Sequence, residues 1–138
     1  MNKKTFFSAM IILTLACFQI ANAQPTGKVA RIGILGRGNS PQLEALRQGL
    51  RDHGYIEGQN LLIEYRYAEG KRDSVPELVA ELLGLKIDLI VPMGPMAPVV
   101  AKIVKGIPVV FGTSGDPVEA GIVASLARPS GNATGMTF

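Results

Sequence analysis

Three short segments carry the residue types that could hold a small ligand: residues 36–40, 93–97 and 112–116. Each contains Gly and precedes an expected helix, two of them through Ser40 or Asp116. Glycines at 36, 38, 94, 112 and 115 let the backbone approach a ligand closely. Backbone N–H groups at a helix start, backed by the positive end of the helix dipole, favour a carboxylate or another anion. The expected contacts are Gly36 and Ser40, Gly94 and Ala97, and Thr113, Ser114 and Asp116. Asp116 before Pro117 also suits a helix cap, which would spend its carboxylate on the backbone.

Other chemistries lack their parts. The chain has one His, and its single cysteine, Cys17, falls in the expected leader, so the mature chain would have neither a metal-ligand set nor a cysteine nucleophile. His53 precedes Gly54 at an expected helix end, where it complements the helix carbonyls. Gly33, Gly36 and Gly38 are spaced G-x-x-G-x-G, which is not the G-x-G-x-x-G of a dinucleotide fingerprint. No cofactor is expected. Tyr65 and Tyr67 are taken as packing residues in mid-strand, away from the cleft edge.

These loops need a scaffold, and the pattern supplies one. Residues 29–35, 60–68, 87–91 and 107–111 predict four strands, the last two almost continuously apolar as in strands buried on both faces. Between them, Pro41 with Ser40 as cap opens a helix carrying Leu43, Leu46 and Leu50. Asp73 or Ser74 caps a second, with Leu78, Val79, Leu82 and Leu83 as its buried stripe. Residues 95–105 give a third, packed by Val99, Val100, Ile103 and Val104. A short helix from Asp116 and a fifth strand starting at Met136 complete the pattern. Alternating strand and helix with short connections predicts an α/β fold, an open parallel sheet with helices on both faces in the order 2-1-3-4-5. Ligands of such sheets sit beyond the strands' carboxyl ends, where strand order reverses.

Residues 1–23 read as a secretory signal peptide. Lys3 and Lys4 precede an apolar run, and Ala21 to Ala23 offer small residues for cleavage before Gln24. The expected destination is periplasmic or extracytoplasmic. Lipid anchoring at Cys17 is the weaker reading, because Thr14 stands where a lipoprotein box has Leu. Without Lys3 and Lys4, 12 of the 14 basic residues remain against 11 acidic ones, a net charge of +1. That balance gives no basis for nucleic-acid binding.

Longer strings carry a family resemblance. Gly54-Tyr55-Ile56-Glu57-Gly58-Gln59-Asn60 is one. The run from Asp116-Pro117 through Ser125-Leu126-Ala127-Arg128-Pro129 to Thr134-Gly135 is another. With these, the chain resembles the tryptophan/tyrosine-type ABC transporter substrate-binding proteins, of the type I periplasmic-binding-protein fold. The resemblance implies capture of a small-molecule solute, such as an aromatic amino acid or related carboxylate, and its delivery to an ABC permease in the membrane. It implies that 24–138 is an N-terminal lobe, ending before the second lobe that family members carry. Where members have Gly-Thr-Pro-Ala, this chain has Gly94-Pro95-Met96-Ala97, without the hydroxyl. A sensory ectodomain of the same fold and a flavodoxin-like enzyme domain are the alternatives. The latter would need an acid/base pair or cofactor fingerprint, and neither is visible.

Overall fold

The computed structural model describes residues 27–68, 74–129 and 131–138; the expected signal peptide, Asp73 and Ser130 lie outside them. Five strands run β1 (Ala30–Gly36), β2 (Leu61–Tyr67), β3 (Leu89–Pro92), β4 (Val109–Thr113) and β5 (Ala133–Thr137). They form one sheet in the order β2-β1-β3-β4-β5, parallel throughout. The predicted fold class and strand order are those observed.

Side chains alternate across each strand, and that period builds two cores. Ile32 and Ile34 of β1 join Val91, Leu61 and Ile63 beneath helix α1 (Pro41–Asp52). Leu35, Ile90, Val109 and Phe111 face the other way, against α2 (Val75–Gly84) and α3 (Ala97–Ile103). Gly33 shares that second face, where a Cβ would fall 2.6 Å from Ile87 Cδ1 and 3.3 Å from Leu82 Cδ2. The missing side chain lets α2 pack directly on β1.

Helix faces differ in detail from the sequence pattern. In α2 the buried residues are Val75, Val79 and Leu82, while Leu83 is exposed. In α3 they are Ala97, Val100 and Ala101, and Ile103 points outward. Gly94–Met96 forms a single 3₁₀ turn before α3, and Val104 already leaves the helix in extended conformation to bury its side chain. Ser74, one of the two expected caps, stands at the N-cap with helical backbone angles, and the other, Asp73, lies outside the described residues.

Two further expectations are corrected at the end of the chain. No helix forms after Asp116. One turn closes by Ala120 N–H to the Asp116 carbonyl, and the N–H groups of Ile122 and Val123 then fold back on Pro117 O. That reversal buries Ile122 and Val123 in the core, a gain that continued helix would forfeit. The fifth strand starts at Ala133, three residues before Met136. Asn132 fixes its start by donating from Nδ2 to Val104 O (3.0 Å) and Ile107 O (2.5 Å), and Ala133 enters the core behind it.

Candidate functional site

All five strands point the same way, so the segments following β1, β3 and β4 emerge on one edge of the sheet. β1 pairs with β2 on one side and β3 on the other, so strand order reverses between β1 and β3. A cleft of about 240 Å³ opens at that point. One wall is Ile34 with residues 36–40, continuing into Gln42 and Leu43 of α1. The facing wall is Met93, Gly94, Pro95 and Met96, and Phe138 closes one end.

Local sequence explains the walls. Ser40 is extended and its Oγ accepts from Leu43 N–H at 3.2 Å, which starts α1 at the cleft. Gly38 and Gly94 adopt φ values of 130° and 61°, which side chains resist, and both expose backbone to the cleft. Ile34, Leu43 and Met96 are buried and make its floor apolar. Phe138 donates its N–H to Thr113 O at 3.1 Å, continuing the ladder beyond β5. Its ring and the Met93 thioether meet over Gly112, 3.3 and 3.5 Å from where a Cβ would stand.

The structure brings together three of the seven expected contact residues: Gly36, Ser40 and Gly94. Ala97 is fully buried in the α2/α3 core below the rim. Thr113 ends β4, and Ser114 and Asp116 follow it, on the same sheet edge but outside the cleft. Thr113 is buried, and its Oγ1 accepts from Gly115 N–H at 3.4 Å. Asp116 Oδ1 accepts from Val118 N–H at 2.7 Å, so its carboxylate is engaged in holding the turn. Of the three glycine-rich segments, only residues 36–40 lead directly into a long helix.

Arg37, Asn39 and Met93 lie in the segments that the sequence singles out, but their side chains are not among the expected contacts, and Phe138 lies outside those segments. Arg37 could have been found as the lone charge in a loop otherwise made of Gly, Asn and Ser. Phe138 could not, because its place depends on β5 pairing with β4. Tyr67 is corrected too: it ends β2 in register with Gly36, at the carboxyl edge of the sheet. Tyr65 stacks on Tyr67 with centroids 6.4 Å apart, and the Arg47 guanidinium lies 5.4 Å from the Tyr65 ring. Burial pushes the Tyr65 phenol above its ordinary range. His53 Nδ1 lies 2.8 Å from Gly49 O, the helix-end role expected of it. Among the described residues no group of His, Cys, Asp and Glu could hold a metal, and no helix is long and apolar enough to cross a membrane.

The sequence and fold have counterparts among known proteins. The family described as ABC transporter substrate binding protein matches residues 34–137. A curated tyrosine-binding protein of Clostridioides difficile (strain R20291) is 33% identical over 113 residues, 78% of this chain and 33% of its own. The chain thus spans about a third of that relative's length. The crystal structure of a conserved domain protein from Vibrio cholerae is similar at a TM-score of 0.71 and 33% identity, over 80% of this chain and 39% of the other. An ABC domain from Streptococcus pneumoniae in complex with L-Trp is similar at 0.70 and 31%, over 78% and 38%. Members of this group are binding proteins. The match runs from inside the first strand to the end of the last, so the chain belongs to the ABC transporter substrate binding protein family.

Proposed function

We propose that this chain is one lobe of an exported receptor that captures a small solute and hands it to an ABC permease in the membrane. The observation that carries the reading is the meeting of two glycine-bearing rims, after β1 and β3, around an apolar floor where strand order reverses. Gly36, Gly38 and Gly94 present backbone to the solute, and the start of α1 at Ser40 favours its anionic end. Ile34, Leu43, Met96 and Phe138 suit an apolar body. The names of the relatives, one tyrosine-binding and one in complex with L-Trp, support an aromatic amino acid or a close analogue.

A cleft of about 240 Å³ is smaller than the ~300–1,000 Å³ of a complete small-molecule site, which fits a lobe that supplies half of the contacts. Closure of an opposing lobe would supply the rest. Cleavage of residues 1–23 would release residues 24–138 beyond the cytoplasmic membrane. No catalytic step is assigned to the cleft.

Thermal-shift titration with aromatic amino acids and small carboxylates tests this reading. A bound solute raises the unfolding temperature in proportion to ln(1 + [L]/Kd). Chemical conversion of a solute in the same mixtures would overturn it.

A further inference from the structure

Resting on the receptor reading, we propose that Arg37 is the anchor for the solute's anionic group, and that this lobe selects an apolar monocarboxylate whether or not it carries an amino group. Among the described residues Arg37 is the only charged side chain lining the cleft. It is exposed, and among the described residues no acidic side chain pairs with it. Arg47 and Arg66 differ, since each is held by a carboxylate: Arg47 by Glu57 at 2.8 Å and Arg66 by Glu81 at 2.7 Å. A planar guanidinium beside the backbone of Gly36 and Gly38 offers paired donors matched to a carboxylate.

The first turn of α1 adds one amide. Pro41 has no N–H, Leu43 N–H is taken by Ser40 Oγ, and Glu44 N–H by Ser40 O. Gln42 N–H is left as the amide of that turn free for the same carboxylate.

Among the described residues an ammonium group finds no such partner. No Asp or Glu among the described residues lines the cleft. Glu44, adjacent to the lining residue Leu43, lies 3.4 Å from Arg47, and Asp116 is spent on its own turn. A cation entering beside Arg37 is repelled and gains only neutral oxygens. The chemistry of this lobe therefore discriminates for the carboxylate and is indifferent to the amine.

The test is a backbone-amide NMR titration of the chain with three probes of one skeleton: 3-phenylpropionate, L-phenylalanine and phenethylamine. NMR detects the weak binding expected of a single lobe. The expected result is that 3-phenylpropionate shifts the amides of Gly38 and Gln42 with affinity at least equal to that of L-phenylalanine, and phenethylamine does not. Arg37→Gln should weaken 3-phenylpropionate about tenfold or more, Arg37→Lys less, and added salt should weaken it further. Phenethylamine binding as well as 3-phenylpropionate, L-phenylalanine binding more than about tenfold tighter than 3-phenylpropionate, or R37Q titrating like the parent, would overturn the proposal while leaving the receptor reading in place. Silence of the cleft amides toward all three probes and L-tryptophan would overturn both.

Discussion

Gly135 of β5 lies flat against Phe111 of β4, where a Cβ would stand 2.7 Å from Phe111 Cγ and closer still to the Phe111 carbonyl oxygen. The two residues are partners in the parallel register that carries Phe138 to the cleft. Gly135→Ala must separate β4 from β5, since neither backbone can yield. The expected loss is about 3 kcal/mol or more, read from urea unfolding. Gly33→Ala meets only the flexible ends of Ile87 and Leu82 and should cost less, about 1–2 kcal/mol. Equal losses would contradict this account.

Ser40 is placed to serve both stability and the cleft. Its Oγ caps α1 through Leu43 N–H, so Ser40→Ala should destabilise the chain by about 1 kcal/mol, and Ser40→Gly by only a few tenths. Calorimetry of the two variants checks the order.

Asn60 joins α1 to β2 at the opposite edge from the cleft. Its Oδ1 accepts from Ile56 N–H at 2.7 Å and its Nδ2 donates to Gly54 O at 2.8 Å. Asn60→Ala should cost about 1–2 kcal/mol in denaturant unfolding. Solute affinity, measured on the folded fraction, should not change.

Asp88 gives the fold an acid-sensitive link. Lys28 Nζ bonds Oδ1, and Arg31 N–H donates to Oδ2 at 2.8 Å, tying the start of β1 to the approach to β3. The Lys28 hydrogen bond, and then the Arg31 amide, hold the carboxyl below its ordinary value. A carboxyl lowered in the folded state adds stability in full above its unfolded value of about 3.9, and that stability is lost as pH falls through the lowered folded value. The unfolding midpoint of the parent should therefore fall more steeply than that of Asp88→Asn on acidification below about pH 4. Parallel curves would exclude this linkage.

The fold was legible where apolar period and turn chemistry agree. Residues 29–35 alternate and end at Gly36, and Ser40-Pro41 marks a helix start without need of tertiary context. Asp116-Pro117 carries the same signal, yet the chain folds back at Gly121 because Ile122 and Val123 gain more from the core than from another helical turn. The strings most specific to the family turn out to be structural. Asn60 locks a connector, Asn132 fixes the start of β5, and Asp116 holds its own turn.

By itself the sequence determined that strands and helices alternate, that the sheet is parallel, and which three loops could present backbone to a ligand. Local spacing, capping and glycine placement fix those properties within a few residues of each element. Only the tertiary structure decided that Arg37, Met93 and Phe138 share one cleft and that Thr113, Ser114 and Asp116 stand outside it. Their positions follow from register and packing between strands far apart in the chain, which no local pattern encodes.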